Sequence, residues 1–216
     1  MVSRGGLSFV SSLDPVITGN AITDAPIDLS EVSGAVVTDN ALLRSPLLIA
    51  ITAGSLVRHN SVAGAGNGIV IGDTADHTRV VGNLFVGNRV GTLVQTNLLD
   101  QLTGTVISGN VYLHNQAAGV LFEVAGAGCG TCPQVTANRF AGNGFAAGRL
   151  TDHLGNPVAD GLHLAVPAGA SILVADNITS HNARYGIFAP PGTVLDGGGN
   201  RSAGDPKGCL GVVCSR

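Results

Sequence analysis

A chain of 216 residues, 44% hydrophobic and 12% charged with 32 glycines, can bury one continuous core and is neither a disordered tail nor a coiled coil. Its net charge of −3, with Lys207 the single lysine, argues against nucleic-acid and anionic-membrane partners. No apolar run reaches the roughly 18 residues that span a bilayer, so no membrane insertion is expected.

The opening residues, MVSRGGLSFVSSLDP, carry neither a basic segment nor an apolar stretch, and no signal peptide is read in this chain. From residue 16 onward the sequence repeats. Asparagines stand at 20, 40, 60, 83, 110, 138, 177 and 200. Three residues before the first seven come Ile17, Val37, Val57, Val80, Ile107, Val135 and Val174, all β-branched. Two residues after the first six come Ile22, Leu42, Val62, Phe85, Tyr112 and Phe140. Five residues after four of them stands a second asparagine: Asn88, Asn115, Asn143 and Asn182. A glycine then opens an apolar stretch, as in Gly68-Ile-Val-Ile and Gly119-Val-Leu-Phe.

Each unit therefore reads as three short strands separated by turns. Asparagine accepts the left-handed backbone of tight turns, and its amide can bond its counterpart one coil away. That bonding needs coils stacked directly, about 4.8 Å apart. Asn83, Asn110, Asn138 and Asn177 are expected to form such a ladder. The expected fold is all-β: a single-stranded right-handed parallel β-helix of about eight coils, one solenoid domain over 1–216.

Two stretches break the rhythm, a loop at 125–134 (AGAGCGTCPQ) and an insertion at 144–160 (GFAAGRLTDHLGNPVAD). Both project beside the glycine-led strands, and insertions on one side of a solenoid often shape its binding face. Along those strands, alternation sends Ile69, Ile71, Val120, Phe122, Leu162, Leu164, Ile187 and Ala189 inward. It leaves an outward stripe of Val70, Leu93, Leu121, His163 and Phe188, with Gln95 and Glu123 in the next outward column. A stripe this apolar calls for a cover, whether the insertion, a second chain or a ligand.

Glu123 and His163 are the candidate acid–base pair on this face, with Gln95, Leu121, Asp152, His153, Asp160 and Phe188 as candidate substrate contacts. His59, His114 and His181 each precede a turn asparagine, and turn geometry accounts for them. Copper would call for methionine and thiolate ligands on one surface, and Met1 is the sole methionine. No metal or other cofactor is assigned.

The cysteines form two local pairs, Cys129 with Cys132 and Cys209 with Cys214. Three coils separate the pairs, too far for one shared zinc, so two short disulfides and an oxidising compartment are expected.

The pattern of apolar-x-x-Asn-x-apolar-x-x-Asn followed by Gly-apolar-x-apolar resembles the right-handed parallel β-helix repeat of the pectate-lyase-like superfamily. It is seen also in β-helix proteins linked to periplasmic copper-enzyme maturation. The resemblance covers 16–200 and implies that the asparagine ladder lies between second and third strands. It also implies that the glycine-led segments are first strands, whose outer face is the groove in the enzymes. The tail at 201–216 resembles the cysteine-closed end of secreted bacterial β-helix proteins and would cap the last coil. The chain reads as the carboxy-terminal part of a longer extracellular or cell-envelope protein. Two functions stay open. One is a scaffold whose first-strand face binds a polysaccharide or protein partner. The other is a polysaccharide lyase, hydrolase or epimerase, with calcium as a cofactor if a lyase; the superfamily's enzyme signatures are missing.

Overall fold

The computed structural model describes residues 6–126, 129 and 131–216. Its coils come close together at the glycines that open the first strands. A β-carbon on Gly119 would stand 2.6 Å from the Phe140 ring and 2.7 Å from the Gly161 carbonyl oxygen, and one on Gly91 2.5 Å from the Gly119 carbonyl. Only glycine leaves room for backbone to pass that near to backbone.

Three parallel sheets run the length of the solenoid, one of nine strands and two of eight. First strands run from Leu7–Val10 through Asn67–Ile71, Val90–Leu98, Ala118–Gly126 and Asp160–Ala165 to Cys209–Leu210. Second strands such as Val106–Ser108 and third strands such as Val111–Leu113 complete each coil. Successive coils pair in register, Val80 beside Ile107 beside Val135 beside Val174. The chain is a right-handed parallel β-helix.

Between second and third strands the asparagine amides form an unbroken file. Asn20, Asn40, Asn60, Asn83, Asn110, Asn138 and Asn177 each donate from Nδ2 to Oδ1 of the next, ending on Asn200, at 2.9–3.1 Å. From Asn40 onward the second Nδ2 proton goes to a carbonyl of the preceding coil, as from Asn110 to Val80. Both amide protons are thus satisfied in a buried turn, where an orphan donor costs about 1–3 kcal/mol. A second file fills the turn between third and first strands. Asn88, Asn115, Asn143 and Asn182 donate in sequence and end on Asp205.

The inward first-strand residues and the apolar residues flanking the asparagines make one core. Within it Phe85, Tyr112 and Phe140 stack with centroids 4.7 and 5.0 Å apart, close to the coil spacing. The tail contributes Arg201–Ala203 to the third-strand sheet and Cys209–Leu210 to the first. It then turns back so that Ser215 bridges Arg201, closed by the Cys209–Cys214 disulfide. Cys129 and Cys132 form the other disulfide. Part of the 125–134 loop lies outside the described residues.

Candidate binding cleft and its end wall

The insertion divides the outer face of the first-strand sheet. Register places Val70, Leu93, Leu121, His163 and Phe188 in one column, as alternation requires. Val70 and Leu93 are half-buried, but Leu121, His163 and Phe188 are buried. The difference lies in the insertion, which folds down on the later coils. Its Val158, Ala147 and Leu150 pack with Val90, Ala117, Ala118 and Leu121. Of the expected ligand contacts, Leu121 is part of this packing and also edges a small hollow, while Phe188 is buried against His163, Tyr185 and Arg184.

A buried ionic chain fastens the insertion. His163 places Nδ1 2.7 Å from Asp160 Oδ2 and Nε2 2.9 Å from Asp152 Oδ2, with all three side chains inaccessible to solvent. Arg184, one coil on, donates to both Asp160 oxygens at 2.9 and 2.7 Å, and the Tyr185 amide donates to Oδ1. Asp152 accepts from the Leu154 and Asn156 amides and from the Asn156 side chain. Burial alone would raise both carboxylates. Hydrogen bonds from His163 to both, from Arg184 to Asp160 and from Asn156 to Asp152 outweigh it, holding both below the usual carboxylate range. Each ring nitrogen faces a carboxylate oxygen, so His163 ties the two aspartates together. Phe188 covers the ring, its centroid 4.6 Å away, and Arg184 lies over Phe188.

The expected pairing of Glu123 with His163 is therefore replaced by another. His163 is enclosed, with both nitrogens engaged. Glu123 instead meets His153 of the insertion, Oε2 to Nδ1 at 2.6 Å, and also accepts the His153 backbone amide. Both side chains keep partial contact with solvent.

This second fastening forms the end wall of a cleft of about 540 Å³ on the uncovered coils. Ala50, Val70 and Gly72 line its floor, with Asp73, Gln95, Asn97, Glu123 and His153 as polar groups. The long paired strands Val90–Leu98 and Ala118–Gly126 supply its side. A smaller hollow of about 220 Å³ shares Gln95 and Glu123 and adds Asn67 and Arg89. Of the candidate residues, then, Gln95, Glu123 and His153 share the cleft, while Asp152, Asp160 and His163 form the latch beside it.

Arg184, Asp73 and Arg89 escaped the sequence reading. Arg184 had a usable signal: it lies 24 residues beyond Asp160, close to one coil, beside the glycine that opens the next first strand. His59, His77, His114 and His181 all adopt left-handed turn backbone. Each lies against a glycine of the next coil, respectively Gly82, Gly104, Gly142 and Gly204. Among the described residues, no group of three or more His, Cys, Asp or Glu side chains is placed to hold a metal ion.

A family model described as periplasmic copper-binding protein (NosD) matches residues 3–160. Among solved structures, a mutant of the periplasmic alginate epimerase AlgG aligns with a TM-score of 0.54 at 14% identity. The alignment covers 98% of this chain and 48% of that one, so the chain spans about half the length of that structure. At this identity the likeness is one of fold. No curated protein matches the sequence.

Proposed function

The chain belongs to the periplasmic copper-binding protein (NosD) family, and we propose that it serves in the periplasm as a β-helix binding module whose first-strand cleft holds a carbohydrate chain. The observation that carries this reading is the division of the face. The insertion seals the later coils and stops at Glu123 and His153, leaving an open trough with an apolar floor and a rim of polar side chains. Apolar floor and a few convergent polar groups are the usual make-up of a small-molecule site. The two disulfides fit an oxidising compartment.

Copper fits poorly among the described residues. All four cysteines are oxidised, Met1 lies outside the described residues, and the turn histidines each lie against a glycine, with no group of three or more His, Cys, Asp or Glu among the described residues placed to hold a metal ion.

A second reading, catalysis on polysaccharide, rests on the Glu123–His153 contact, a carboxylate that orients an imidazole at the cleft. The test of the first reading is retention of oligosaccharides by the parent chain and by Val70→Trp, which fills the floor. Binding lost in the variant supports the cleft; binding kept by it overturns the assignment. Product formation from uronic-acid polymers, with and without calcium, that disappears in His153→Ala supports catalysis.

A further inference from the structure

We propose that the cleft selects an amine-bearing glycan, of the glucosamine-oligomer type, and rejects polyanionic polysaccharides; this rests on the carbohydrate-binding reading above. The charges on the trough decide it. Asp73 and Glu123 line the main cleft, and among the described residues no lysine or arginine lines it with them. Asp28 is the one charged residue of a further hollow of about 390 Å³ on the same face, formed with Pro26, Pro46, Leu48 and Val70. Arg89 is the single arginine on the three hollows, and it shares its own with Glu123. Three carboxylates against one guanidinium leave the trough acidic. Concave sites of one sign concentrate ligands of the other sign and repel their own. An alginate chain, with a carboxylate on every sugar, would meet that repulsion along its length. A chain of amino sugars would instead bring ammonium groups to Asp73 and Glu123 as charge-assisted donors.

The rest of the lining favours a sugar over a basic peptide. Extended peptides are held mainly by backbone bonds to a sheet edge. Here the floor is the face of a sheet whose strands are already paired on both sides, Asn67–Ile71 between Leu47–Ala50 and Val90–Leu98. It has no main-chain donors to offer. Gln95, Asn97 and Asn67 supply side-chain amides that match hydroxyl groups, and Ala50, Val70 and Ala125 supply apolar contact for the ring faces.

The experiment is calorimetric titration of the full chain with four probes: a glucosamine hexamer, cellohexaose, an alginate hexamer and oligolysine. The glucosamine hexamer is expected to bind tightest. Its affinity should fall about tenfold in Asp73→Asn and in Glu123→Gln, the size of a lost charged hydrogen bond. It should weaken further at about 0.5 M salt, where screening shortens to a few ångström. Alginate bound by the parent as tightly as the glucosamine hexamer, or bound more weakly in Asp73→Asn than in the parent, overturns the charge assignment while leaving a carbohydrate cleft. Oligolysine bound as well as the glucosamine hexamer overturns the sugar part. Silence toward all four probes, with circular dichroism unchanged, overturns the carbohydrate-binding reading itself.

Discussion

Asp152 and His163 meet at 2.9 Å with neither side chain reaching solvent, so a buried polar contact fastens the insertion to the sheet. The contact has a cost and a return. Burying the charges is unfavourable in itself, but once they are buried, removing one partner strands the others. His163→Ala leaves Asp152 and Asp160 without their shared donor. The expected result is a loss of about 3–5 kcal/mol and cleavage within 144–159 by a protease that leaves the parent intact. Limited proteolysis with mass analysis checks it; an uncut insertion would contradict the latch.

The latch carries a pH dependence with a definite sign. Asp152 and Asp160 are held below the usual carboxylate range, so the unfolded chain takes up their protons first. Their contribution is complete above the unfolded value of about 3.9 and fades as pH falls through the depressed folded values. Melting temperatures from pH 7 to pH 2 should show the parent losing its advantage over Asp160→Asn below about pH 4. A constant gap across that range would mean that Asp160 is not ionised in the fold.

The amide file predicts a contrast between two asparagines. Asn138 is buried and holds bonds to Ile107, Asn110 and Asn177, whereas Asn20 is exposed at the first coil. Asn138→Ala should cost at least about 2 kcal/mol, through orphaned groups on Asn110, and Asn20→Ala far less. Chemical denaturation of both variants measures the difference. Equal costs would deny the file its energetic role.

Glycine substitution offers a cleaner steric test. An alanine at Gly119 would drive its β-carbon into the Gly161 carbonyl and the Phe140 ring, but Gly66 has no atom within 4 Å of that position. Gly119→Ala should destabilise by about 1–3 kcal/mol or more, the usual cost of overpacking, and Gly66→Ala should be neutral. Thermal unfolding of the two variants decides it.

The coil architecture was legible because repetition makes each signal redundant. Asn83, Asn110 and Asn138 recur with the same neighbours, so one misread coil changes nothing. Even so, the bonding of Asn88, Asn115 and Asn143 went unread although their spacing was visible, because the spacing alone does not say which turn is buried. The site was only half legible. Gln95, Glu123 and the stripe column followed from period-two alternation. The partners of Glu123 and His163 did not, because they come from a non-repeating insertion whose path no periodicity encodes. Sequence adjacency of Asp152 and His153 gave no hint that one would enter the latch and the other the cleft wall.

Both amide files also point the same way. Each Nδ2 donates toward the next coil, so the side-chain dipoles add along the axis instead of cancelling, and each bond polarises its neighbour. The end toward which the N–H groups point carries partial positive charge, and both files finish there on a carboxylate. Asn182 donates to Asp205 at 2.9 Å and Asn200 to Asp196 at 3.3 Å. The solenoid thus has a head and a tail written in its side chains, much as a helix has an end that favours anions. Interior coils that carry both asparagines are interchangeable in this respect. The last coil is not: to extend the stack past it, Asp196 and Asp205 would have to give way to amides, and the charge would move outward to the new end.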